Sequence, residues 1–151
     1  MKITVEQTIR SKSIAETFSE VAENYHQKAE IQLKVANGLI SSLMPWKNTL
    51  QDGPILEIGC GTGFLSEQLI KEFPDRDILL TDISEGMLRF CENRLEKEGL
   101  LTNKISFDKL NVDELTDETE EYSLIISNFT PQWFSDTAIG LEKLSKQLKP
   151  N

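Results

Sequence analysis

Residues 55–63 read Ile55-Leu56-Glu57-Ile58-Gly59-Cys60-Gly61-Thr62-Gly63, and the fold turns on how this stretch is read. Three large aliphatic residues in a run of four indicate a short strand buried on both faces. The alternating glycines after it permit backbone angles closed to other residues. They also remove the Cβ atoms that would keep a ligand off the main chain. A helix opening at Gly63 points its unsatisfied N–H groups back toward that space. Strand, glycine turn and helix together therefore form a ligand-binding corner.

Downstream, the same alternation repeats. The spacing predicts a helix over 63–73, a strand over 78–81 ending at Asp82, and a helix over 84–97 with Gly99 as its cap. A strand over 105–107 leads into a polar loop, and a strand over 122–127 leads through Asn128 and Gln132-Trp133 to a helix over 135–148. Strands alternating with helices of this length imply βαβ units, hence an α/β, Rossmann-like doubly wound parallel sheet. Such sheets bind ligands at the carboxyl ends of their strands, where the glycine turn lies.

Upstream, Gln51-Asp52-Gly53-Pro54 is a turn cluster that marks a boundary. Before it, Ile14, Phe18, Val21, Ala22 and Tyr25 fall at helical spacing, as do Ala29, Leu33, Ala36, Ile40 and Leu43. Residues 1–53 are thus expected to form a helical extension or lid, and residues 54–151 the sheet.

Composition narrows the function. The chain has 151 residues, 16 Lys+Arg against 25 Asp+Glu, and a net charge of −9. Residues 1–53 hold six basic and six acidic side chains, so residues 54–151 carry the whole excess. That balance argues against broad nucleic-acid binding, which draws on Lys and Arg. No apolar run approaches the roughly 18 residues of a membrane span, and no signal-peptide pattern opens the chain. Cys60 and Cys91 are too few for a disulfide framework or a zinc site, so a cytoplasmic protein with reduced thiols and no bound metal is expected. The run 113–121 holds six carboxylates in nine residues. It reads as a solvated loop over a strand edge, with a metal or cationic-partner site as the alternative.

The spacing of the glycines bears on the ligand. A dinucleotide fingerprint, G-x-G-x-x-G, would need glycine at Phe64 or Ser66, and neither fits. The pattern Glu57-x-Gly59-x-Gly61-x-Gly63 instead resembles the first motif of class I S-adenosylmethionine-dependent methyltransferases. The resemblance implies S-adenosylmethionine as cofactor, with Glu57, Gly59, Cys60 (through its backbone), Gly61 and Gly63 around it. Asp82, nineteen residues after Gly63, would accept the two ribose hydroxyls. Ile83 and Met87 would face the adenine, although Met87 suits ordinary helix packing equally well. Asn111 would hold the adenine amino group beside the Val112 backbone, with Asn standing where many members of the family have Asp.

Two further stretches narrow the family. Ser127-Asn128-Phe129-Thr130-Pro131-Gln132-Trp133 resembles the S-N-x-x-x-Q-W segment of the malonyl-acyl-carrier-protein O-methyltransferases of biotin synthesis. The run Ile14-Ala15-x-x-Phe18-x-x-Val21-Ala22-x-x-Tyr25 resembles their opening. The trans-aconitate methyltransferases share the former element and lack the latter. The implied reaction moves a methyl group onto the free carboxylate of a malonyl thioester, carried by acyl carrier protein or coenzyme A. Such a carboxylate is ionised at neutral pH and needs no general base. Asn128 would orient substrate or the cofactor's amino-acid end. Trp133 would wall the acyl pocket or simply pack, and Tyr25, the catalytic candidate, would close over the site or lie in the core. His26 reads as a surface or packing residue. An acidic carrier would dock on basic groups, for which Arg10, Lys12, Lys28 and Lys34 are the N-terminal candidates. The resemblance predicts seven strands where four are present, so the chain is expected to be a cut or prematurely ended form holding the cofactor half. An inactive cofactor-binding scaffold and a small-molecule methyltransferase of the trans-aconitate type are the alternative functions.

Overall fold

Ile55, Leu56, Glu57 and Ile58 are all buried, and they form β1 (Ile55–Ile58), an interior strand of a four-stranded sheet. The computed structural model describes residues 29–116 and 121–150, with five helical positions nearer the N-terminus, Ile9, Lys12, Ser13, Glu16 and Thr17. The other strands are β2 (Ile78–Asp82), β3 (Ile105–Lys109) and β4 (Leu124–Ser127). All pairings are parallel, in the order β3-β2-β1-β4, with Ile55 opposite both Ile78 and Leu124. The strand order reverses beside β1, which opens a crevice at the carboxyl ends of β1 and β4.

The helices are α1 (Glu30–Leu43), α2 (Phe64–Glu72), α3 (Glu85–Lys97) and α4 (Thr137–Ser145). Side chains alternate across the strands, so the two faces carry separate cores. Ile55, Ile78 and Leu80 pack with Ala36 and Ile40 of α1, Leu65 and Leu69 of α2, and Cys91 and Leu95 of α3. On the opposite face Leu56 and Ile58 pack with Val112, Phe134 and Leu144 of α4. Covering both faces explains why β1 carries no polar–apolar alternation.

Local chemistry sets the helix ends. Ser84 caps α3 by accepting the Met87 N–H, and Gly99 follows the helix at φ +69, as a left-handed terminator requires. Asp136 caps α4 by accepting the Ile139 N–H at 3.0 Å, so that helix starts at Thr137 rather than 135. Residues 131–133 form a separate 3-10 turn. β4 begins at Leu124, two residues later than its composition suggests, because Tyr122 pairs with Leu148 in a parallel bridge outside the strand. The expected stripe of α1 is also adjusted. Ala29, Ala36 and Ile40 are buried, whereas Leu33 is 37% exposed. The stripe residues expected of the first helix, Ile14, Phe18, Val21, Ala22 and Tyr25, lie outside the described residues, as do 117–120 of the acidic run.

Candidate functional site

At the carboxyl ends of β1, β2 and β4 lies an open cleft enclosing about 970 Å³ of empty space, part of it open to solvent. Its floor is the glycine turn. Gly59, Gly61 and Gly63 all have positive φ, at +68, +54 and +89. They serve two different needs. A Cβ on Gly59 would collide with the Thr130 side chain of the loop after β4. A Cβ on Gly63 would sit 2.7 Å from Cys91 Sγ of α3. A Cβ on Gly61 would meet nothing within 4 Å, because it would project into the empty cleft. Gly61 therefore leaves ligand space open, while Gly59 and Gly63 let neighbouring elements approach the turn.

Asp82 ends β2 at one side of this floor, and its carboxylate is fixed by two backbone donors. The Gly61 N–H gives to Oδ2 and the Ser84 N–H to Oδ1, each at 2.9 Å. Burial pushes its pKa up, against those backbone hydrogen bonds. Each oxygen keeps acceptor capacity for a neighbouring pair of hydroxyls.

Glu57 is the unusual group. It is 1% exposed, borders the cleft, and neither carboxylate oxygen makes a well-formed hydrogen bond. Burial raises its pKa from 4.5 to about 8; the Ser66 hydroxyl opposes the rise and the Asp82 charge adds to it. An unpaired buried carboxylate is costly unless something cationic or hydrogen-bonding completes it. Across the crevice, the Asn128 amide nitrogen donates to the Gln32 carbonyl of α1 at 3.0 Å. That bond fixes the side chain's orientation and leaves the buried Asn128 Oδ1 without a partner, also bordering the cleft. The buried Thr62 hydroxyl is likewise unpartnered.

Of the residues predicted from sequence, Glu57, Gly59, Cys60, Gly61, Asp82, Ile83, Met87, Asn111, Val112, Asn128 and Trp133 all line the cleft. Gly63 does not; it caps α2 in the left-handed conformation and packs on Cys91 behind the floor. The Asn111 amide oxygen accepts the Asp113 N–H at 3.1 Å, and its amide nitrogen gives to Glu114. Asn111 thus shapes its own turn as well as facing the cleft. The Cys60 thiol is buried, and the neighbouring Cys91 thiol, then burial, holds its pKa well above the usual value, which suits a packing thiol rather than a nucleophile. Tyr25, His26, Arg10 and Lys28 lie outside the described residues, while Lys12 and Lys34 are exposed. Gln32, Thr62, Leu110, Phe129 and Thr130 also line the cleft and are not legible from sequence. Thr62, Phe129 and Thr130 occupy motif positions open to any residue, and Gln32 is brought in by α1.

Among the described residues, no group of three or more His, Cys, Asp or Glu is arranged to hold a metal, and no helix is long and apolar enough to cross a membrane. In the acidic run, Asp113 accepts from the Ser135 hydroxyl at 2.6 Å and so ties two loops together.

The cleft's donor set fits S-adenosylmethionine. Unpaired acceptors at Glu57 and Asn128 suit an ammonium group, the anchored Asp82 carboxylate suits a ribose diol, and Ile83, Met87 and Val112 offer apolar contacts for a base.

Comparison with known proteins agrees with this geometry. The malonyl-[acyl-carrier protein] O-methyltransferase of Priestia megaterium is 37% identical over 142 residues, covering 94% of this chain and 49% of the relative. That of Acetivibrio thermocellus is 36% identical over 133 residues, covering 87% and 44%. The chain spans about half the length of the curated relatives it matches. Among solved structures, magnesium protoporphyrin IX methyltransferase of Synechocystis with bound S-adenosylmethionine superposes with a TM-score of 0.70 at 13% identity, covering 92% of this chain and 72% of that one. Phosphoethanolamine N-methyltransferase 2 of Haemonchus contortus superposes with a TM-score of 0.61 at 22% identity, covering 75% and 26%. The family model for a methyltransferase domain matches residues 55–151, from the first residue of β1 through the whole sheet, and the chain belongs to that methyltransferase-domain family.

Proposed function

We propose that this chain is the cofactor-binding half of a cytoplasmic, S-adenosylmethionine-dependent methyltransferase that esterifies the free carboxylate of a malonyl thioester in biotin synthesis. The observation that carries the cofactor assignment is the pair of unpartnered buried acceptors on Glu57 and Asn128, residues that line one cleft with the anchored Asp82. Asp82 orients the ribose, Glu57 and Asn128 Oδ1 receive the ammonium, and the Gly61 backbone permits close approach. Bound S-adenosylmethionine supplies an electrophilic methyl group. The acceptor carboxylate is already ionised, so the protein's task is to hold it in line with that methyl and keep water out.

The acceptor assignment rests on the relatives' names and on the Ser127–Trp133 and Ile14–Tyr25 resemblances. In this reading residues 1–53 are the N-terminal extension to the cofactor half in 54–151, Tyr25 is the catalytic candidate, and the carrier is acyl carrier protein. Incubation with S-adenosylmethionine and either malonyl-acyl carrier protein, malonyl-coenzyme A or trans-aconitate, followed by mass spectrometry, tests it. One methyl group added to the malonyl-carrier adduct is the expected result. Methylation of trans-aconitate alone would replace the acceptor assignment. Cofactor binding with no methylated product from this chain would favour a binding module without transfer activity.

A further inference from the structure

Phe129 has φ +59 and is the one residue other than glycine with positive φ among the described residues. Left-handed backbone is unfavourable for a bulky side chain, and such strain concentrates where a site needs a group held in place. Core packing does not account for it: Phe129 is 38% exposed, belongs to neither apolar cluster, and lines the cleft. Trp133, four residues on, also lines the cleft and is 44% exposed. Sheet order locates both aromatics. Asp82 belongs to β2, on one flank of β1, whereas Phe129 and Trp133 follow β4 on the other flank. The β4 loop therefore borders the cleft on the side away from Asp82.

The charge of the lining says what an acceptor can use there. Glu57, Asp82 and Asp113 border the cleft, and among the described lining residues there is no Lys, Arg or His. A small free dicarboxylate would meet carboxyl groups and no side-chain cation there. The uncharged, planar part of a larger acceptor can instead lie against aromatic faces.

Building on the malonyl-thioester reading, we infer that Phe129 is a specificity-determining residue whose left-handed backbone holds its ring against the thioester segment of the acceptor, so that the site takes an acyl thioester and rejects the free acid. The ring supplies affinity for the arm, and a lining without Lys, Arg or His withholds the pairing that a free dicarboxylate needs.

The test uses the chain loaded with S-adenosylhomocysteine and titrated calorimetrically with malonyl-pantetheine and with malonate, comparing wild type, Phe129→Gly and Phe129→Leu. Glycine adopts this backbone without strain, so Phe129→Gly is expected to fold with an undiminished thermal midpoint and to bind S-adenosylhomocysteine within twofold of wild type. Its malonyl-pantetheine affinity should fall tenfold or more, towards that of malonate, with partial recovery in Phe129→Leu. Thioester affinity within twofold of wild type in Phe129→Gly would overturn the inference, as would an equal loss of cofactor affinity. Wild type binding S-adenosylhomocysteine but neither malonyl compound would instead refute the acceptor reading itself, and the inference with it.

Discussion

Replacing Glu57 with Gln probes the least ordinary group in the molecule. Burial holds its carboxyl near pKa 8, against 4.5 in an ordinary environment. That difference corresponds to about 5 kcal/mol between protonation states, at about 1.4 kcal/mol per unit. The sign follows from proton counting. Between the two values the native state keeps a proton that the unfolded chain has released. Stability is therefore full below pH 4.5, falls as pH rises at about 1.4 kcal/mol per pH unit, and levels off above about 8. Glu57→Gln has nothing to titrate there. In urea denaturation, wild type should lose about 2–3 kcal/mol more than Glu57→Gln between pH 5.5 and pH 7.5. Comparing the two proteins cancels the other titrating groups. A ligand ammonium that pairs with Glu57 must also drive off this proton. Titration with S-adenosylhomocysteine near pH 6.5, in buffers of different ionisation enthalpy, should reveal about one proton released by wild type and none by the variant. Parallel stability profiles together with equal proton release would refute the picture of a buried, protonated carboxyl waiting for a cation.

The glycine turn yields two more outcomes. Gly61→Val places a side chain in open cleft at φ +54, so it should cost about 1–2 kcal/mol in thermal or urea unfolding, yet abolish S-adenosylhomocysteine binding by calorimetry. Gly63→Ala combines the same kind of backbone strain with a Cβ placed 2.7 Å from Cys91 Sγ, and should lose about 2–4 kcal/mol of stability. Adding Cys91→Ala should recover the overlap portion but not the backbone portion, which separates the two causes in one denaturation series.

How much was legible beforehand depended on whether a residue's role is local. The buried run Ile55–Ile58, the alternating glycines, the Ser84 cap and the Gly99 terminator are properties of adjacent residues, and each shows in the sequence as it stands in the fold. Asp82 was readable because a strand end projects its last side chain into a crevice that the topology alone defines. What escaped is relational. The bond from Asn128 to the Gln32 carbonyl spans 96 positions, and it fixes the amide's orientation and leaves the Asn128 oxygen unpartnered. Gly59 and Gly63 look in sequence like Gly61, yet they serve packing because Thr130 arrives from the loop after β4 and Cys91 from α3. Phe129 adopts left-handed backbone in the loop that follows β4 although it is not a glycine. No local propensity encodes it. Leu33 kept helical spacing with its neighbours but falls outside the buried stripe of α1.

Binding of S-adenosylhomocysteine to the wild-type chain and to Asp82→Ala, followed by calorimetry alongside thermal unfolding, tests the central claim most directly. Asp82 holds its place through two 2.9 Å backbone bonds and faces the cleft. Wild type should therefore bind one equivalent saturably, and Asp82→Ala at least tenfold more weakly while remaining folded. A folded wild-type chain that takes up no S-adenosylhomocysteine, or an Asp82→Ala chain that binds it as tightly as wild type, would contradict the account.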